Sequence, residues 1–356
     1  MPMKLTFFAS VLTLLCFLQG YSSRASEKSL NFHDSYNLSD WLVKGRANSL
    51  RFYDPDSGKE INRRSERNGS YCMGKDSSKP GKHSINFWSN GRYRRAKVYL
   101  PESYRKNRGS PLVLNIHAFM SNGTLQESLS NMLSSADQRG FIMVYPEGIL
   151  GSWNGGACCG GSILQNIDDV SYINDLLDRL EDNFCIDASR VYATGMSNGG
   201  FMSYRLACEM SDRIAAIAPV ASVLGLPRKD CQPVRSVPLL SFHGTNDPLV
   251  PYKGGLPLEP DWGLDYVFRS VDSTMSIWTE HNSCSEDKTL VYRRDNVRCY
   301  QWQGCGRQAS TIHCKAIGDT HTWPHAFGGW PTPATTRAIN ASESIFNFFD
   351  AHQLPL

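Results

Sequence analysis

The chain has 356 residues, a formal net charge of +3, 41% hydrophobic and 20% charged residues. A chain of this length and composition can bury a full core, which excludes disordered, collagen-like and multi-span membrane classes. So small a net charge gives no reason to expect a nucleic-acid partner.

Lys4 precedes an apolar stretch from Leu5 to Leu18, followed by small and polar residues through Ser23-Arg24-Ala25. This order predicts a secretory signal peptide over residues 1–25. The stretch is shorter than the roughly 20 residues a spanning helix needs, so no membrane span is expected once the leader is removed. Of the 11 cysteines only Cys16 falls in the leader. The ten that remain are an even number in an exported chain, which points to disulfides. Cys158 and Cys159 are neighbours, and their partners are expected elsewhere in the chain. Asn37, Asn68, Asn122 and Asn340 begin Asn-x-Ser/Thr sequons, candidate glycosylation sites in the same compartment.

Residues 26–82 are polar and turn-rich, an N-terminal extension of unknown role or a pro-segment. Gly69 to Lys75 approaches a phosphate-binding loop but fails, because Asp76 stands where Ser or Thr is required. The pattern changes over 83–356. Ser84–Trp88 and Arg94–Leu100 read as strands around a Ser89-Asn90-Gly91 turn. Continuous apolar runs at Pro111–His117 and Phe141–Tyr145 predict strands covered on both faces. Val170–Leu180 has helical spacing, with Asp168 and Asp169 favouring its start. Strand Val191–Thr194, helix Phe201–Met210, apolar Ile214–Val220 and strand Pro238–Phe242 follow. Val267–His281 predicts a helix, Leu290–Tyr292 and Thr311–Lys315 late strands, and Ile339–Phe349 a closing helix. Strands alternating with helices predict an α/β fold: a mostly parallel central sheet, helices on both faces, and an N-terminal antiparallel hairpin.

Gly195-Met196-Ser197-Asn198-Gly199 lies between a strand and a helix. In that context G-x-S-x-G is a sharp turn that exposes a serine hydroxyl as a nucleophile. Serine needs a base, and the partners follow in the order acid, then histidine. Asp247, after the Pro238–Phe242 strand, is the expected acid, ahead of Asp261 and Asp265. His321, after the Thr311–Lys315 strand, is the expected base, with His325 a lesser candidate. His117 and His243 end strands and are expected to bond backbone there; His313 falls within one. The N–H of Asn198 is one expected oxyanion donor, and that of Phe119, in the loop after His117, is the other. Trp153, Trp262, Trp323 and Trp330 lie on or near these loops; Trp153 and Trp323 are the substrate-binding candidates, with packing between loops as the alternative.

These segments together resemble the secreted feruloyl esterase and polyhydroxybutyrate depolymerase branch of the α/β-hydrolases. The resemblance runs from Lys82 to Phe349 through RRAKVYLP, the His117-Ala118 loop, YPEG with SWNGGACCGG, DDVSYINDLLDRL, RVYATGMSNGGFMSYRLACE, IAAIAPVA, FHGTNDPLVPY and GDTHTWP. It implies a single α/β-hydrolase domain and a triad at Ser197, Asp247 and His321. It further implies hydrolysis of feruloyl, acetyl or polyhydroxyalkanoate esters with no metal or cofactor. The chain departs from the family at Ala118, where glycine is usual, which fits only if that position does not need a positive φ. A secreted non-catalytic matrix or carbohydrate-binding protein on the same scaffold is the alternative from another class, and a peptidase is the enzymatic one.

Overall fold

The computed structural model describes residues 78–257, 267–306, 309–326 and 335–355. The expected leader, most of the N-terminal extension with its rejected phosphate loop, Asn37, Asn68, Cys72, Asp261, Asp265, Trp262 and Trp330 lie outside the described residues.

The first pair of strands, β1 (Gly81–Ser89) and β2 (Arg92–Leu100), is an antiparallel hairpin. Asn90 and Gly91 both take positive φ, 49° and 70°, as a two-residue turn matched to strand twist requires. β3 (Ser110–Ile116) and β4 (Ile142–Pro146) are wholly buried. Their continuous apolar runs have a direct cause. Leu112, Leu114 and Ile116 pack on one side of the sheet while Val113 packs on the other, so both faces demand apolar side chains. β5 (Ile186–Met196), β6 (Ala216–Val220) and β7 (Leu239–Gly244) continue the parallel sheet, and β10 (Thr311–Ala316) pairs parallel with β7.

β8 (Lys288–Arg294) and β9 (Val297–Trp302) form a second antiparallel hairpin beyond β10. The ten strands therefore run β1-β2-β4-β3-β5-β6-β7-β10-β9-β8, parallel in the centre and antiparallel at both edges. The second hairpin is an addition to the single N-terminal one expected from the sequence. β9 (VRCYQW) is a short edge-side strand, and its inward set is Val297 and Cys299, the latter bonded to Cys314 on the facing strand.

Two short helices, α1 (Gly123–Ser130) and α2 (Leu133–Arg139), stand between β3 and β4 where none was expected. Their apolar content is low, and their ends define them. Asn122 Oδ1 accepts from the N–H groups of Thr124 and Leu125, while Asn131 and Gly140 close the two helices in the left-handed region. α3 (Gly160–Leu164) is a single turn. α4 (Asp169–Asn183), α5 (Asn198–Glu209) and α6 (Val271–His281) cover one face, with Tyr172, Leu176, Phe201 and Trp278 in its core. α2 and α7 (Ala341–Asp350) cover the other, through Ala136, Phe346 and Phe349. The sites Asn122 and Asn340 both serve as helix N-caps, Asn340 Oδ1 accepting from Glu343 N–H.

At the start of α4, Asp168 is the N-cap and accepts from Ser171 N–H. Asp169 is the acidic residue of the first turn, and its side chain turns inward to Arg94. Disulfides join Cys208 to Cys231, Cys284 to Cys305 and Cys299 to Cys314, and Cys185 is also disulfide-bonded. The expectation of distant partners for Cys158 and Cys159 is corrected: they are bonded to each other. The peptide between them is cis, with the Cα atoms 3.1 Å apart.

Candidate active site

The candidate residues arise at the carboxyl ends of parallel strands of the central sheet, where an open α/β sheet presents its loops. Ser197 directly follows β5 and precedes α5. Its φ of 55° and ψ of −122° lie where a side chain is rarely found. The flanking glycines make that turn possible. A Cβ on Gly195 would sit 2.5 Å from Ile116 O, and one on Gly199 only 2.1 Å from the same atom. The elbow thus rests directly on the backbone at the end of β3. Ser197 N–H donates to Val220 O at 2.9 Å, which ties the turn to β6.

Asp247 lies in the loop after β7 and His321 in the loop after β10. His321 Nδ1 donates to Asp247 Oδ2 at 2.8 Å, with both side chains buried. Asp247 Oδ1 accepts the N–H groups of Leu249 and Val250, each at 2.9 Å. Burial alone would raise the Asp247 carboxyl. The charge of His321 and the hydrogen bonds from His243 and His321 outweigh it and hold the group well below the usual carboxylate range. Asp247 is therefore an anion at any working pH. Among the described residues no hydrogen bond joins Ser197 Oγ to the His321 ring.

Asn198 does more than its backbone position suggested. Its Oδ1 accepts Trp153 N–H at 2.7 Å, and its Nδ2 donates to Trp153 O at 2.9 Å and Cys158 O at 2.8 Å. All of this side chain's reach goes into fastening the 153–158 loop to the start of α5. An asparagine directly after the candidate serine was the available signal, and only the fold names its partners.

His117, after β3, accepts Gly148 N–H at Nε2 (3.0 Å), so its proton is on Nδ1 and is donated to Ala118 O at 2.7 Å. This bond fixes the peptide that leads to Phe119. Ala118 is not among the residues of positive φ, and the loop makes its left-handed step at Met120 instead, with φ 54°. An alanine therefore replaces the family's glycine here without backbone strain. The Phe119 ring lies over Gly160, where a Cβ would come 2.2 Å from Phe119 Cε2.

The two tryptophans expected to meet substrate are placed elsewhere. Trp153 is fully enclosed, its Nε1 donating to His117 O at 3.1 Å and its ring stacked on Tyr172. Trp323 is equally buried, its Nε1 donating to Ser342 Oγ at 3.0 Å. Both brace loops from inside, each buried with its indole N–H already bonded within the protein. His313 is buried between Ser241 Oγ and Tyr252 OH. His325 takes a φ of 71°, and its N–H donates to Thr336 O.

Burial pulls the His117 pKa down to about 4, against a smaller upward effect of its bond to Ala118 O. The unfolded chain binds that proton near pH 6.5, and the native chain only near 4. Its contribution to stability is complete above about pH 6.5 and is lost as pH falls towards 4, with a slope of about 1.4 kcal/mol per pH unit. Urea midpoints measured from pH 7 to 4.5 should fall less steeply in His117→Gln than in the parent chain. Equal slopes would show that His117 titrates alike in both states.

A family profile described as "Putative esterase" matches residues 89–317. Feruloyl esterase B of Piromyces equi is 30% identical over 244 residues, covering 67% of this chain and 44% of that protein. The chain thus spans less than half the length of that relative. A Nocardia uniformis subsp. tsuyamanensis protein, "Putative esterase NocK", is 32% identical over 256 residues, covering 67% of this chain and 74% of its own. The acetyl xylan esterase from Aspergillus awamori superposes with a TM-score of 0.51 at 15% identity, over 68% of this chain and 94% of that structure, a likeness of fold. With an α/β-hydrolase sheet, a serine elbow after β5 and a profile match running from β1 past β10, this chain belongs to the putative esterase family of α/β-hydrolases.

Proposed function

We propose that the protein is a serine hydrolase of carboxylic esters, acting through an acyl-enzyme. The observation that carries the reading is Ser197, held at positive φ between β5 and α5 on the same sheet end as the buried Asp247–His321 pair. In this mechanism His321 Nε2 takes the Ser197 proton as Ser197 Oγ attacks the ester carbonyl. Asp247 holds the Nδ1–H tautomer of His321 and stabilises the ring when it becomes charged. The N–H groups of Asn198 and Phe119 receive the developing oxyanion, each contributing roughly 10²–10³ in turnover. The alcohol leaves with the proton from His321, and water then attacks the acyl-enzyme by the same route.

Curated relatives are named feruloyl esterase B and bifunctional acetylxylan esterase/xylanase, which supports feruloyl or acetyl esters on plant polysaccharide as the substrate class. The apolar leader and the disulfides support action outside the cell, where disulfides persist. Asn122 and Asn340 are then available to the glycosylation machinery as the chain is exported.

The test is covalent labelling with a fluorophosphonate, followed by identification of the modified peptide by mass spectrometry. Label confined to Ser197 and absent from Ser197→Ala is the expected result. A folded, deglycosylated sample that takes no label would remove the hydrolase reading and leave a binding protein on this scaffold. Labelled protein that cleaves peptides and not feruloyl or acetyl esters would move the reaction class to amide hydrolysis.

A further inference from the structure

A second histidine faces the same carboxylate oxygen as His321. His243, near the end of β7, brings Nε2 to 3.2 Å from Asp247 Oδ2 and 2.9 Å from Val250 O, with its side chain almost wholly enclosed. Both atoms facing Nε2 are acceptors, so Nε2 carries the proton. Nδ1 is buried without a hydrogen-bond partner, so the polar contacts of the ring are made through Nε2. Asp247 therefore accepts N–H groups from His321 at Oδ2 and from Leu249 and Val250 at Oδ1, and His243 Nε2 also faces Oδ2 at 3.2 Å.

The segment HGTNDPLVPY closes on itself through these bonds. Val250 N–H donates to Asp247 Oδ1 while Val250 O receives His243 Nε2–H. Behind His243, the Tyr252 ring packs edge-on at 5.7 Å between centroids, and its OH shares a 2.9 Å hydrogen bond with His313 Nε2. His313 Nδ1 meets Ser241 Oγ at 2.9 Å. Burial pulls His313 down to about 3, so this backing is neutral. His243 has no freedom to turn away from Asp247.

We propose that His243 is a positioning residue: its Nε2–H fixes the Asp247 carboxylate in the orientation that holds His321 for proton transfer. This rests on the esterase reading above. His243 does not touch the reacting atoms. Without it, Oδ2 loses one of the two ring nitrogens that face it, and the carboxylate can pivot about its Oδ1 bonds to Leu249 and Val250, carrying the His321 ring with it. Misplacement of about 1 Å costs on the order of 10²-fold in turnover.

Three variants separate this role from simple packing. His243→Gln can place an amide N–H where Nε2–H stood; His243→Asn places its amide nearer the Nδ1 position; His243→Leu offers no donor. On a simple aryl ester, kcat is expected to fall about 10²-fold in His243→Leu and His243→Asn. KM should stay within about threefold, since the substrate contacts are untouched. His243→Gln should recover at least tenfold of the loss. The far-downfield proton resonance of His321 Nδ1–H, assigned by its disappearance in His321→Gln, should shift in the Leu and Asn variants and return in Gln. If His243→Leu fails to fold, the Gln and Asn pair carries the comparison alone. Wild-type kcat and an unmoved resonance in a folded Asn or Leu variant would overturn the proposal, as would Gln behaving like Asn. Failure of the esterase reading is distinguishable: Ser197→Ala would then leave turnover unchanged, or the parent would show none, while the resonance still reports on His243 and Asp247.

Discussion

Replacing Ser197 by alanine is expected to lower kcat by about 10⁶-fold on a soluble aryl ester, because a nucleophile and its base act as a unit. The remaining rate, roughly 10³–10⁴ over water, would come from the oxyanion donors and substrate binding alone. Stability should move independently of activity. Alanine inherits the φ of 55° and its strain, so the melting temperature should be close to that of the parent. Glycine adopts that conformation freely, and Ser197→Gly should be more stable than Ser197→Ala by about 1 kcal/mol or more. Steady-state rates and thermal melts on the three proteins check both statements. A Ser197→Ala protein within tenfold of the parent kcat would remove Ser197 from the mechanism, and an alanine variant as stable as the glycine one would show that the elbow stores no strain.

The largest effect on stability is expected from Arg94. Its Nη2 meets Asp169 Oδ1 at 2.5 Å, and the two side chains are only 1% and 0% exposed. The guanidinium lies 3.7 Å from the centroid of the Tyr172 ring. Asp169 Oδ2 accepts Asn154 N–H at 2.8 Å, so the pair also anchors the loop that Asn198 grips from the other side. Arg94→Met keeps much of the volume but leaves a buried carboxylate without its counter-charge, a loss of about 3–5 kcal/mol. Burial already holds the Asp169 carboxyl above its ordinary range, with Arg94 the main opposing influence. Without Arg94 it rises further. A raised native pKa means the penalty is present above the unfolded value near 4 and is relieved as pH falls. The gap between the parent and Arg94→Met in urea midpoints should therefore be wide at pH 7 and narrow at pH 5. Arg94→Met combined with Asp169→Asn, which keeps an acceptor for Asn154, should regain part of the loss at pH 7. A single variant as stable as the parent would show that the pair adds nothing to the fold.

Most of the central sheet could be read from the chain because its strands obey a local rule. Pro111–His117 and Phe141–Tyr145 are continuously apolar since both faces of β3 and β4 are covered, and burial on two faces leaves no other pattern. The Asn90-Gly91 turn was equally legible, because few residue pairs take positive φ in succession. α1, α2 and β9 escaped for the opposite reason. The helices are set by their caps more than by an apolar stripe, and β9 by the strands on either side of it. Their sequences state a preference too weak to recognise before the neighbours are known.

At the site, the sequence by itself named Ser197, because glycines on both sides of a serine between a strand and a helix encode a backbone shape. It also put Asp247 and His321 in order along the chain as candidates. Order is not distance, and only the tertiary structure decided that β7 and β10 lie side by side and bring these two side chains to 2.8 Å. The tertiary structure likewise decided that His243 shares the carboxylate, that Asn198 ties down the 153–158 loop, and that Trp153 and Trp323 face inward. A local conformation is written in adjacent residues, and the sequence therefore determined the elbow and the covered strands. A hydrogen bond between residues 74 positions apart depends on which strands pair, and that is fixed by the burial of the whole sheet.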